Sequence, residues 1–144
     1  MSKNIVHCIG DSHSSFFSGE DLIQPVYPQP SSNKIPCFES YRLGAVLAYN
    51  LLTFGTKERG REKLLDVLTR IPEGGMVLLC FGEIDCRCHL VKQAQIQNIA
   101  IKDVIEQCVD RYFKVVDELI QMGFDVLIWN VIPTSNTFNS EYPY

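Results

Sequence analysis

Asn4-Ile5-Val6-His7-Cys8-Ile9-Gly10-Asp11-Ser12-His13 opens with a short apolar run that stops at a glycine and an aspartate. A run of this length, without helical period and bounded by turn residues, predicts a buried strand ending at Gly10-Asp11. Met76-Val77-Leu78-Leu79-Cys80-Phe81 repeats the pattern and also ends at a glycine, Gly82. Its continuous apolarity suits a central parallel strand covered on both faces. A third strand is predicted from Phe124 to Ile132, rich in Val and Ile with one Trp, and Pro133 ends it.

The segments between these runs read as helices and loops. Leu64, Val67, Leu68 and Ile71 fall on one face of a 3.6-residue period, so a helix is expected from about Glu58 to Ile71, stopped by Pro72-Glu73-Gly74-Gly75. From about Ile96 to Met122 an apolar stripe including Val104, Cys108, Tyr112, Val116 and Leu119 opposes a polar one. This predicts a long amphipathic helix capped by Gly123. Tyr41 to Phe54 is apolar almost all the way round and is expected to be a helix buried on most sides, ended by Gly55. Ser18 to Ser40 carries Pro25, Pro28, Pro30 and Pro36 and reads as a long loop with a brief strand near Val26. Alternating strands and helices point to an α/β layered sheet of parallel strands, with the ligand crevice beyond the strands' carboxyl ends. Three stretches should then line the crevice: Gly10-Asp11-Ser12-His13, Gly82-Glu83-Ile84-Asp85-Cys86-Arg87 and Pro133-Thr134-Ser135-Asn136.

The 144 residues suit one domain, spanning 1–144. With 46% hydrophobic and 21% charged residues the composition is globular. Thirteen Lys and Arg against seventeen Asp and Glu, with no long run of either sign, argue against nucleic acid or an anionic membrane as partner. No apolar stretch is long enough to span a bilayer, and the start is too short for a signal peptide, so a cytoplasmic protein is expected. The six cysteines are scattered, and Cys8, Cys80 and Cys108 sit inside apolar runs, which favours reduced thiols. Cys86-x-Cys88-His89 lacks the second ligand pair of a zinc site. No phosphate-cradling glycine motif occurs. Neither a metal nor a cofactor is expected.

A serine just past a strand, on a turn that a glycine permits, can present its hydroxyl to the crevice with the following amides pointing the same way. Ser12 has that placement. The alternative is that Asp11 and Ser12 satisfy turn amides and cap the next segment of chain.

Ile-Gly-Asp-Ser-His at positions 9 to 13 resembles the first block of the SGNH, or GDSL-type, hydrolase superfamily, with His13 where many members carry Leu. Gly82-Glu83-Ile84-Asp85 falls where the third block of that superfamily, Gly-x-Asn-Asp, is expected. The resemblance implies a three-layer α/β/α domain with a flavodoxin-like parallel sheet. It also implies a serine ester hydrolase or acyl transferase acting on an acylated small molecule, often a sugar. Carried over residue by residue, the nucleophile is Ser12, its own amide donates to the oxyanion, and Gly10, Asp11 and Gly82 shape the turns. Gly44 is the candidate for the second-block glycine donor, with helix–helix packing as its other reading. The third-block asparagine position holds Ile84. Losing one oxyanion donor slows an enzyme by about a hundred- to a thousandfold, and Arg87 is the candidate substitute. Glu83, Asp85 and Arg87 otherwise read as a loop ion-pair cluster, or as the contacts of a non-catalytic module that binds a carbohydrate or other polar ligand.

The superfamily's base is a histidine in a late Asp-x-x-His block, which this sequence lacks. Of the three histidines, His7 lies within the first strand, His13 follows Ser12 directly and is expected to point elsewhere, and His89 follows the third-block loop. The expectation is therefore an N-terminal portion of a longer SGNH-like domain, incomplete at its C-terminus and inactive alone. The alternative is a chain that keeps the scaffold without the catalysis.

Overall fold

A computed structural model describes residues 5–131. The strand limits at Asn4 and Ile132 and the stretch Pro133-Thr134-Ser135-Asn136 lie outside the described residues. Four strands, β1 (Val6–Gly10), β2 (Phe38–Arg42), β3 (Met76–Cys80) and β4 (Asp125–Ile128), form one sheet in the order β2-β1-β3-β4. Every pairing is parallel. Parallel neighbours need crossovers rather than hairpins: a 3₁₀ segment and loop join β1 to β2, α1 (Gly60–Leu68) lies between β2 and β3, and α2 (Leu90–Gln97) and α3 (Ile101–Gln121) lie between β3 and β4. The mixed α/β class and the three strands read from the sequence are observed.

The register follows from the apolar runs. Ile9 pairs with Leu79 and Leu79 with Ile128, while Cys8 pairs with Leu78 and Leu78 with Leu127. Side chains alternate across a sheet, so Ile9, Val77 and Leu79 share one face. They pack with Leu64, Val67 and Leu68 of α1 and with Val104, Val115, Val116 and Leu119 of α3. Val104, Val115 and Leu119 are fully buried, each contributing about 1.5–3 kcal/mol by removal from water. On the opposite face Cys8, Leu78 and Cys80 form a smaller cluster against Val6, Phe17 and Phe38. Among the described residues that face is covered by the short 3₁₀ segment Ser12–Ser18, whose Phe17 ring meets Trp129 edge-on at 5.1 Å.

Two expectations fail here. Tyr41 to Phe54 is not a helix. Tyr41 and Arg42 end β2, paired with Ile9 and Gly10, and the remainder is loop apart from one 3₁₀ turn at Ala48–Asn50. Leu43, Val46, Ala48 and Leu51 are buried because this irregular chain threads the core. Its apolarity therefore carried no helical period. Gly44, at φ +106°, has a backbone that no helix interior adopts, so helix packing is not its role. The second failure concerns Ile96 to Met122. Asn98 at φ +53° closes α2, its N–H reaching the carbonyls of Ala94 and Gln95, and α3 starts afresh at Ile101. The brief strand near Val26 is a single parallel bridge to Arg42.

At the end of β1 the chains come close. A Cβ on Gly10 would lie 2.6 Å from the Cys80 Cβ and nearer still to the Cys80 carbonyl oxygen. Backbone must shift to admit it. Gly10→Ala is expected to lower the unfolding free energy by about 1–3 kcal/mol or more, measured as a reduced urea midpoint at unchanged slope.

Candidate functional site

Because β1 and β3 are register-paired to their last residues, Gly10 with Cys80, the chain segments leaving them emerge side by side. Asp11 N–H still donates to the Cys80 carbonyl at 3.1 Å, and Leu43 N–H to the Gly10 carbonyl at 2.7 Å. The turns carrying Ser12, Gly44 and Glu83 thus leave the same rim of the sheet.

Asp11 caps the 3₁₀ segment that follows β1. Its Oδ1 accepts from the His13 backbone N–H at 2.9 Å, and the His13 ring nitrogen Nδ1 lies 3.1 Å from the same oxygen. The carboxyl is 1% exposed, and Oδ2 has no hydrogen-bond partner among the described residues. Burial pushes the Asp11 carboxyl above the ordinary aspartate range. The His13 contacts oppose the shift, and the Glu83 carboxylate across the rim adds to it.

The serines of the segment divide by what their hydroxyls do. Ser14 Oγ donates to the Asp11 carbonyl, Ser15 Oγ accepts from Gln24 N–H, and Ser18 Oγ donates to the Ser15 carbonyl. Ser12 Oγ makes no hydrogen bond among the described residues, and Ser12 is half-buried. As the first residue of the segment its N–H has no partner within it. Ser12 and His13 border a cavity of about 170 Å³ that is rimmed by Phe16, Leu22 and Ile23 and by Glu20 and Asp21.

The loop after β3 places its residues differently. Gly82 bends the chain, and a wide π turn, Asp85–His89, leads into α2. Asp85 points inward. It is 1% exposed, and its oxygens accept from Ala48 N–H at 2.8 Å and Tyr49 N–H at 3.0 Å, capping the 3₁₀ turn after β2. It thereby ties the loop after β3 to the turn after β2. Gly82 and Asp85 border a second, largely apolar cavity of about 190 Å³ with Phe81, Tyr112 and Trp129. Ser12 and the acidic loop therefore share a rim but line separate cavities. Glu83 and Arg87 are joined by an ion pair, Nε to Oε1 at 2.8 Å. Ile84, in the same loop, is half-buried.

Gly44 lies in the turn after β2, its Cα facing Glu58 and Val26. His7 sits in the sheet with Nδ1 3.7 Å from a Glu39 oxygen, and burial holds its imidazole below the ordinary histidine range. His89 packs its ring against Tyr49 at 5.0 Å with Nε2 buried and unpartnered among the described residues. Burial pushes it down in the same direction. The histidine at the Ser12 turn is His13, the one whose ring was expected to point away. A 3₁₀ turn folds it back onto Asp11, a contact that Asp-x-His at an N-cap hints at and that only the turn geometry decides.

The six thiols are unpaired. Among the described residues no group of three or more His, Cys, Asp or Glu is placed to hold a metal ion, and no helix is long and apolar enough to cross a membrane. Comparison with family models, with curated proteins and with solved structures finds no match.

Two outcomes are expected. Asp85→Ala leaves two amides without their acceptor and should cost about 2 kcal/mol of unfolding free energy in urea titration. For Asp11 the folded value is raised, so its contribution to stability is complete below the ordinary aspartate value and is lost as pH rises through the raised value. Urea midpoints measured across that window should fall for the native chain relative to Asp11→Asn.

Proposed function

We propose that this chain is an SGNH-like serine ester hydrolase or acyl transferase domain that acts on an acylated small molecule or sugar through Ser12. The observation that carries the reading is the free Ser12 hydroxyl at the end of β1, in a segment whose other three serines are engaged in the fold. The order β2-β1-β3-β4 supports it, being the first four strands of the flavodoxin-like order 2-1-3-4-5. The crevice of such sheets lies at the carboxyl ends of the strands, where Ser12 stands.

In this reading Ser12 Oγ attacks the ester carbonyl carbon, and the free N–H of Ser12 faces the oxygen on which charge develops. The C–O bond to the alcohol breaks, and water or an acceptor alcohol then releases the acyl group from Ser12. Ile84 supplies no side-chain donor, which predicts a slow enzyme. Unpaired thiols and a net charge of −4 are consistent with a cytoplasmic protein that binds a small molecule and no nucleic acid.

The test is hydrolysis of p-nitrophenyl acetate together with labelling by a fluorophosphonate probe. Ser12→Ala should abolish labelling and lower turnover by roughly a thousandfold or more. An unchanged rate would reject the nucleophile. The second reading, a non-catalytic module binding a carbohydrate or other polar ligand at Glu83 and Arg87, is favoured by Ile84 in place of the asparagine. It predicts an unlabelled Ser12 and saturable ligand binding weakened by Arg87→Ala.

A further inference from the structure

We infer that His13, held by Asp11, is the proton-transfer residue for Ser12, so that orienting carboxylate, nucleophile and base are three consecutive residues of one turn. The inference rests on the hydrolase reading and supplies the base that the late-histidine pattern leaves missing.

The ring is anchored at one nitrogen. Asp11 Oδ1 meets both the His13 backbone N–H, at 2.9 Å, and Nδ1, at 3.1 Å. Rotating the ring away forfeits a contact with a carboxyl that is 1% exposed and has nothing on its other oxygen among the described residues. In its ionised form, which the two His13 contacts favour against burial, the Asp11 carboxylate only accepts hydrogen bonds. In that form Nδ1 carries the proton, and Nε2 is left with its lone pair. The Phe16 ring, 5.6 Å away, flanks the imidazole. Ser12 and His13 line the same cavity, which has room for an ester group and a water molecule.

The other histidines do not line this cavity. His7 is in the sheet beside Glu39, and His89 is packed on Tyr49. Glu20, on the same cavity, is tied to Lys34 and Ser32. The remaining carboxylates at His13 or its cavity are Asp11 itself and Asp21, while Glu83 acts on Asp11 from across the rim.

Successive side chains of a 3₁₀ turn diverge by about 120°, so the proton passes through one water in the cavity. That water takes the Ser12 Oγ proton and gives its own to Nε2, as the Oγ electron pair forms the bond to the carbonyl carbon. Collapse of the tetrahedral species breaks the C–O bond, and the departing alkoxide recovers the proton from Nε2 by the same route. Water repeats the sequence to free the acid.

The experiment follows p-nitrophenyl acetate turnover by the full-length protein and its His13→Ala, His13→Gln, Asp11→Asn and Ser12→Ala variants, with urea midpoints recorded for each. His13→Ala is expected to slow turnover by about a hundred- to ten-thousandfold, with part of the loss restored by added imidazole. His13→Gln, whose amide can keep the bond to Asp11 and so guards against a folding defect, should lose the acid limb of the pH–rate profile. Asp11→Asn should lower kcat with KM little changed. If both His13 variants keep the native rate and pH profile while Ser12→Ala is dead, the base assignment falls and the hydrolase reading stands. If an Asp-x-x-His histidine elsewhere in the full-length protein proves to carry the acid limb, the assignment falls too. If turnover does not depend on Ser12, both fall.

Discussion

The closeness of β1 to β3 at Gly10 and Cys80 is the constraint on which the remaining arrangement rests. With no side chain between them, the two central strands stay paired to their last residues and release their turns side by side. The same closeness leaves the Asp11 amide bonded to the Cys80 carbonyl, which aims the first turn across the sheet end. Any substitution that pried these strands apart would separate Ser12 from Glu83 before it touched either residue.

Two buried carboxylates organise what the sheet end presents, and they do so unequally. Asp85 caps the 3₁₀ turn after β2 with both oxygens supplied with donors, and so ties the third loop to the second. Asp11 caps the 3₁₀ segment after β1 with one oxygen, the other lacking a partner among the described residues. A buried polar atom without a partner costs stability, and the raised Asp11 carboxyl is the electrostatic sign of that cost. The imbalance falls beside the free serine, whereas the fully supplied carboxylate lies in the scaffold.

The sequence made the central strands plain because buried parallel strands must be apolar on both faces, and Ile5 to Ile9 and Met76 to Phe81 have no other simple reading. The strand β2 was hidden because Glu39 and Arg42 give an edge strand the look of the proline-rich loop before it. The stretch from Tyr41 to Phe54 misled for the opposite reason, since chain that threads a core without regular structure is as apolar as a buried helix. At the site, glycine and serine after an apolar run were legible. The inward turn of Asp85 was not, because its partners are backbone amides 36 and 37 residues away. The fold of His13 onto Asp11 depends on a turn type that residue names do not fix.

The π turn at Asp85–His89 completes one circuit with more residues than an α-helix needs. That surplus lets Asp85 face the interior while Glu83 and Arg87 remain at the surface. It also works as a slack link between the sheet and α2. Loss of a single residue there could be absorbed by tightening the coil, leaving the strands in place while the outward-facing side chains swing to new bearings. The lip of the crevice can therefore be re-lettered by insertions and deletions without recutting the core beneath it.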